Sequence, residues 1–162
     1  MADDIQIKAA VVSVSDTRHE NNDLSGVTLV GLLLAIGAEV VEKKIVSDDF
    51  ENVHQTLSDL SARADVNLIF TTGGTGFAER DKTPEATLAV IEKEAPGLAE
   101  AMRLETSKKT PTAMLSRGVC GIRGKCLIIN LPGSPKGVQE CFEVIKSVLQ
   151  HAVNLLAGNT KH

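Results

Sequence analysis

A chain of 162 residues, 43% apolar and 23% charged, is long enough to bury a core and too apolar to remain disordered. Its formal charge of −4 has the wrong sign for a nucleic-acid surface, and four Phe with no Trp or Tyr leave bases almost nothing to stack on. Small phosphorylated ligands stay open to it, because they respond to local N–H groups, Lys, Arg and divalent cations more than to overall charge.

Strand-like and helix-like patterns alternate along the chain, which predicts an α/β fold of three layers: a mostly parallel sheet with helices on both faces. Ile7 to Val14 is a first strand, ending in the polar run Ser13-Val14-Ser15-Asp16. A charged loop, Thr17 to Asp23, leads into a helix from Leu24 to Ile36 that Gly37 stops. The apolar part of that helix, Val27 to Ile36, reads as buried and falls short of the ~20 residues needed to span a bilayer. Ala38 to Val46 is a second strand, followed by Ser47-Asp48-Asp49 and a helix from Phe50 to Ala64, for which Asp48 or Asp49 is the acidic N-cap.

The third strand, Val66 to Phe70, runs into Thr71-Thr72-Gly73-Gly74-Thr75-Gly76-Phe77-Ala78-Glu79-Arg80-Asp81. Thr83 as N-cap and Pro84 at the first helical position open a helix to Glu94, which Pro96-Gly97 ends, and Leu98 to Ser107 forms another. Residues 117–125, with Gly118, Gly121 and Gly124, read as a turn-rich approach to a last strand, Cys126 to Leu131. Pro132-Gly133-Ser134-Pro135 then starts a closing helix to about Leu156, with Ser134 as its N-cap, and residues 159–162 read as a frayed tail. No repeat or linker divides residues 1–162, which read as one domain. Cys120, Cys126 and Cys141 have no zinc-ligand spacing; their odd number and the lack of a signal-peptide pattern predict reduced, buried thiols in the cytoplasm.

The glycine run has the composition of a phosphate cradle at a strand-to-helix crossing. It lacks the Gly-Lys-Ser/Thr ending of a Walker A loop, and Glu79 stands where a dinucleotide fingerprint needs glycine or alanine. Parallel strands put their carboxyl ends on one edge, so Ser13, Ser15 and Asp16, the Asp48-Asp49 pair, the glycine run and the Pro132 to Lys136 turn are expected to converge there. Asp48 and Asp81 suit Mg²⁺, which takes one or two protein carboxylates and completes its shell with phosphate and water. Ser116, Arg117, Arg123, Lys125 and Lys136 are candidate anion contacts.

Thr72-Gly73-Gly74-Thr75-Gly76 with Arg80-Asp81 and Thr83-Pro84-Glu85-Ala86-Thr87, then Leu115-Ser116-Arg117 and the run from Ile128 to Lys136, resembles the molybdopterin adenylyltransferases. These are the MogA-type bacterial enzymes and the G domains of gephyrin-like proteins, and the resemblance extends from about Lys8 to about Leu156. It implies a MogA-like fold and the Mg²⁺-dependent transfer of adenylate from ATP to molybdopterin with release of pyrophosphate. Asp81 matches one essential carboxylate and metal ligand. Asp48 matches the other, with Asp49 one register away. Gly73, Gly74, Thr75 and Gly76 would serve ATP, and Pro132, Gly133 and Ser134 the molybdopterin, with Ser13, Ser15, Asp16, Ser116, Arg117 and Lys136 as further substrate contacts. The resemblance further implies a homotrimer and a downstream molybdate-inserting partner, and no nucleic acid or membrane. A MoaB-like pterin binder with little transferase activity and a trimeric scaffold domain are the rival readings. Phe77-Ala78-Glu79 departs from relatives that carry Pro-Arg or Arg-Arg before the Asp, while Arg80 is retained.

Overall fold

The computed structural model describes residues 3–160. In chain order the elements are β1 (Lys8–Val14), α1 (Leu24–Ala35), β2 (Glu39–Val46), α2 (Phe50–Ser61), β3 (Leu68–Thr72), α3 (Thr83–Val90), β4 (Lys93–Glu94), α4 (Pro96–Ser107), a 3₁₀ turn (Pro111–Leu115), β5 (Cys120–Arg123), β6 (Cys126–Leu131) and α5 (Pro135–Leu156). They build one six-stranded sheet in the order β2-β1-β3-β6-β5-β4. β1 runs parallel to β2 and β3, and β3 parallel to β6, whereas β5 is antiparallel to both β6 and β4. The expected three-layer, mostly parallel arrangement is therefore present, with an antiparallel edge.

The strands are apolar on both faces because both faces are covered. Val11, Phe70 and Ile129 pack against Leu29 and Leu33 of α1, Met102 of α4 and Phe142, Ile145 and Leu149 of α5. Val12, Ile69 and Ile128, one residue out of phase, pack against Val53, Leu57 and Leu60 of α2 and Val90 of α3. Asp23, Asp49 and Ser134 cap α1, α2 and α5 by accepting from the N–H groups of Gly26 (3.1 Å), Asn52 (2.9 Å) and Gly137 (3.0 Å). Among the described residues no helix is long and apolar enough to cross a membrane. All three cysteines are buried and free, and burial pushes the Cys120 and Cys126 thiols up to about 12.

Expectations for the second half of the chain need correction. The helix opened by Pro84 stops at Val90 instead of reaching Glu94, because the chain leaves it to join the sheet edge: Glu92 N–H donates to Ile122 C=O and Ala95 N–H to Cys120 C=O, both at 2.8 Å. Pro96-Gly97 accordingly begins α4 rather than ending α3. Thr83 lies inside α3 and donates its hydroxyl to Gly73 C=O (2.9 Å), leaving Lys82 at the cap position with no side-chain bond. Residues 117–125 hold a strand, β5, whose Gly121 leaves room for Ile91 Cδ1, which a Cβ would meet at 2.4 Å.

Helix α1 is not fully buried: Leu24, Val27 and Leu34 are 66%, 58% and 57% exposed, on the side opposite Leu29 and Leu33. In the predicted 159–162 tail, Asn159 is tied back to Asn154 C=O by a 2.9 Å bond, and residues 161–162 lie outside the described residues.

A buried polar chain crosses the α3 side of the sheet. Asn130 on β6 donates through Nδ2 to the Thr71 and Thr87 hydroxyls, both at 3.0 Å, and accepts Val119 N–H at 3.1 Å. Thr87 donates to Thr83 C=O (2.8 Å), and Thr83 in turn to Gly73 C=O. Replacing Asn130 with Leu strands the Val119 N–H and removes the donor to both hydroxyls. We expect a loss of about 3 kcal/mol in unfolding free energy, measured by urea titration, because buried polar groups left unpaired cost about 1–3 kcal/mol each.

Candidate active site

The carboxyl ends of β1, β2, β3 and β6 share one edge, and the four polar segments converge there as the parallel arrangement requires. Below this edge, between the glycine loop and the α4–α5 side, lies a cavity of about 470 Å³. Gly74, Thr75, Gly76, Asp81, Ser116, Asn130, Pro132, Gly133, Ser134 and Lys136 are in its wall, joined by Met102 and Arg103 of α4 and Glu140 and Cys141 of α5.

The glycine loop takes a path that side chains resist. Gly73 and Gly74 have φ of +101° and +69°, and a Cβ on them would lie 2.5 Å from Val14 C=O and 2.3 Å from Thr83 Oγ1. Bulk at Gly74 would therefore disrupt the loop itself as well as obstruct a ligand. Gly73 N–H is used by Leu131 C=O at 3.2 Å, whereas the N–H groups of Gly74, Thr75, Gly76, Gly133 and Ser134 find no acceptor among the described residues. Two strand-to-helix turns with unpaired donors thus line one cavity, the second at the start of the 22-residue α5. That arrangement suits anionic oxygens.

The carboxylates divide by role. Asp49 is consumed by the α2 cap: it accepts from Asn52 N–H and from Ser47 Oγ (2.9 Å), and those donors hold it below the usual carboxylate range. Asp48 is only 11% exposed and faces Asp16, whose Oδ1 accepts Asp48 N–H at 3.1 Å. Burial, and then the neighbouring Asp16 carboxyl, push Asp48 above its ordinary value, while Asp16, hydrogen-bonded by the Asp48 carboxyl, is held below its own. Asp81 accepts Ala78 N–H (3.1 Å) and lines the cavity; the missing Cβ of Gly76 leaves space for its Oδ2. Arg80, the residue before Asp81, lies 4.0 Å from Asp48, so the two carboxylate-bearing loops meet.

Among the described residues no three His, Cys, Asp or Glu side chains form a group able to hold a metal. A Mg²⁺ that arrives with phosphate needs only one or two carboxylates, and Asp48 and Asp81 are oxygen donors of that kind.

Of the other residues singled out in the sequence, Ser13, Ser15, Arg117 and Arg123 make framework bonds, while Ser116 and Lys136 lie in the cavity wall. Ser13 is fully buried and donates to Asp23 (2.6 Å). Ser15 accepts the N–H groups of Thr17 and Arg18 at 3.2 Å and shapes its own loop. The Arg117 guanidinium is spent on the glycine loop, donating to Gly76 C=O (2.8 Å), Asp81 C=O (2.9 Å) and Glu85. Ser116 Oγ accepts Gly118 N–H at 3.3 Å. Lys136 is mostly exposed, 3.7 Å from Glu140. Arg123 donates to Val90 C=O (2.9 Å), away from the cavity wall.

Sequence reasoning passed over Asp23, Arg18, Ser25 and Arg103. The Asp23 carboxylate is wholly buried, bonded to Ser13, Gly26 N–H and Lys43 Nζ (2.8 Å). Arg18 and Ser25 both donate to Gly133 C=O, Ser25 at 2.6 Å, and fasten the Gly133 turn to the start of α1. An acidic residue before an apolar run is an N-cap signal, which could have marked Asp23. Arg103 carries no comparable signal.

A family model described as a probable molybdopterin binding domain matches residues 10–151. The molybdopterin adenylyltransferase of Helicobacter pylori J99 is 41% identical over 157 residues, which are 94% of this chain and 89% of that protein. The molybdenum cofactor synthesis protein cinnamon of Drosophila melanogaster is 46% identical over 94% of this chain, but the match spans only 26% of cinnamon. The crystal structure of the molybdopterin biosynthesis enzyme MoaB from Thermus thermophilus superposes with a TM-score of 0.88 at 43% identity, covering 94% of this chain and 98% of that one.

Asp23 makes acid stability testable. Burial opposes its charge, but the Lys43 ammonium, the Ser13 hydroxyl and Gly26 N–H outweigh it and hold the folded carboxyl below its ordinary value. The unfolded chain therefore takes up this proton first as pH falls. The stabilisation is complete above about pH 4, the ordinary carboxylate value, and is lost as pH drops through the lower folded value. Urea titrations from pH 6 to pH 2 should show a steeper loss for the wild type than for Asp23→Asn, which is less stable at pH 6.

Proposed function

Because this chain belongs to the probable molybdopterin binding domain family, we propose that it is a molybdopterin adenylyltransferase of molybdenum cofactor biosynthesis. A terminal phosphate oxygen of molybdopterin bonds to the α-phosphorus of ATP, the bond from that phosphorus to the bridging oxygen breaks, and pyrophosphate leaves with the electron pair. The observation that carries this reading is the pair of unpaired N–H sets, at Gly74 to Gly76 and at Gly133-Ser134, that open on one cavity. An adenylyl transfer needs two phosphorylated reactants side by side, and two donor sets on one rigid edge can hold them so. The 41% identity to the H. pylori enzyme over 89% of its length supports the same reading.

In this reading the glycine loop binds the nucleotide phosphates and the Pro132-Gly133-Ser134 turn the molybdopterin end. Asp48 and Asp81 would hold Mg²⁺, which supplies charge neutralisation at the phosphates. Arg117 keeps the loop carbonyls turned away from the phosphates by binding Gly76 and Asp81 C=O. Arg80, 69% exposed and 4.0 Å from Asp48, is the cation beside that carboxylate. No side chain need act as a covalent nucleophile. The product then passes to a molybdate-inserting partner in the cytoplasm. The direct test is detection of adenylylated molybdopterin on mixing the protein with molybdopterin and Mg²⁺-ATP; a folded protein that binds the pterin and yields no product is a binding module instead.

Asp81→Asn and Asp48→Asn should fold normally and lose several kcal/mol of transition-state stabilisation, about 10²- to 10³-fold in turnover. Asp49→Asn should keep most turnover and lose at most about 1 kcal/mol of stability through its weakened cap. Single-turnover assays on the three variants, with thermal melts, check the division.

The homotrimer is part of the same proposal. Helix α1 carries no charged side chain and presents Leu24, Val27 and Leu34 to solvent, with open space at Gly31 on that side. An apolar stripe of this kind is costly to leave wet and suits a subunit contact. Sedimentation at micromolar concentration should give three times the chain mass, and Leu34→Glu should reduce it to one.

A further inference from the structure

Two charged side chains in the cavity wall have no part in the roles above. Glu140, on α5, is 16% exposed, and its carboxylate accepts no hydrogen bond from the described residues; its nearest cation is Lys136, 3.7 Å away and itself 73% exposed. Arg103, on α4, donates through one nitrogen to Ser116 C=O (3.3 Å) and Gly118 C=O (2.8 Å). It has no carboxylate within ion-pair distance among the described residues, Glu140 included. Both line the same cavity, which Ala99, Met102 and Cys141 make apolar between them, and Glu140 with Thr106 also borders an adjoining cavity of about 290 Å³.

A largely buried carboxylate without donors is an expensive arrangement, and so is a nearby guanidinium left without an anion. Opposite charges on neighbouring helices that do not pair with each other leave a gap for a ligand that presents donors to one and an acceptor to the other. Apolar walls between them select a flat, uncharged ring. The 2-amino and N3–H groups of a pterin are adjacent donors matched to the two oxygens of a carboxylate, and its 4-oxo acceptor is next along the same edge.

We propose that Glu140 is the residue that reads the pterin ring, accepting from its 2-amino and N3–H groups, while Arg103 donates to its 4-oxo oxygen. This rests on the adenylyltransferase reading for the identity of the substrate, and it assigns the part of the cavity wall that α4 and α5 supply. Glu140 is a specificity residue and touches none of the reacting atoms.

Calorimetric titration with two probes tests it: 6-hydroxymethylpterin phosphate, and the lumazine analogue in which a 2-oxo group replaces the 2-amino group. The wild type should bind the pterin about 10- to 100-fold more tightly, the worth of a charge-assisted pair. Glu140→Gln should lose that preference while its melting temperature and its affinity for Mg²⁺-ATP stay unchanged. Should the glutamine variant not fold, Glu140→Asp withdraws the carboxylate by one methylene and should lower the same ratio.

Equal binding of the two probes by the wild type, binding of neither, or an unchanged ratio in a folded variant overturns the proposal. An effect on ATP rather than on the pterin overturns it too, since Glu140 would then face the nucleotide base. Failure of the wild type to adenylylate molybdopterin is a different result, and it removes the functional reading itself.

Discussion

The carboxyl edge of the sheet depends on one buried line of hydrogen bonds. From Asn130 in β6 it runs to Thr71 in β3 and Thr87 in α3, and from Thr83 to Gly73 C=O at the bend of the glycine loop. Each link lies out of water, so each is strong and each is expensive to leave unmade. Sheet, helix and loop are fixed to one another by side chains too short to adjust, and the positive φ angles of Gly73 and Gly74 are sustained by that surrounding order. A loop held this way is ordered without a ligand present, which is the preorganisation that phosphate chemistry rewards.

Charge is distributed on the same plan. Asp23, Asp49, Arg117 and Arg18 are engaged with backbone or with one another, and they fix the positions of α1, α2, the glycine loop and the Gly133 turn. Asp48, Asp81, Arg80, Arg103 and Glu140 are less committed, and all but Asp48 and Arg80 are in the cavity wall. The net charge of −4 says nothing of this division. A small anion meets the local arrangement, within a Debye length of about 8 Å.

Features that depend on near neighbours in the chain were legible before the structure. The glycine run after β3, the Ser134 cap followed by Pro135, and the order of parallel strands all rest on short-range pattern. What was not legible rests on distant partners. Arg117 was read as an anion contact because its carbonyl partners, Gly76 and Asp81, lie 41 and 36 residues away. Asn130 drew no separate notice in its apolar strand, because its hydroxyl partners are 59 and 43 residues distant. Strand β5 was hidden by Gly121, a poor strand former that the approach of Ile91 requires. Arg103 and Glu140 resembled the solvated charges found on most surface helices, and only the packing of α4 on α5 turns them inward. The ambiguity between Asp48 and Asp49 had a local answer, since Ser47 and Asn52 flank the cap, but only coordinates tell which aspartate takes it.

Gly133 and Gly73 approach so closely that a Cβ on Gly133 would lie 3.4 Å from Gly73 Cα, and Thr72 Oγ1 bonds Pro132 C=O at 2.7 Å just beneath. The two turns are therefore a single mechanical body. Thermal motion that lifts one carries the other with it, so the separation between whatever the two turns hold stays constant while the pair moves as a whole. Hydrogen exchange in the two segments should accordingly proceed through a shared opening, with equal protection and an equal response to denaturant. A side chain larger than alanine at Gly133 would press against Gly73, and its damage would appear as loosened spacing at both turns rather than as a defect at the substituted one.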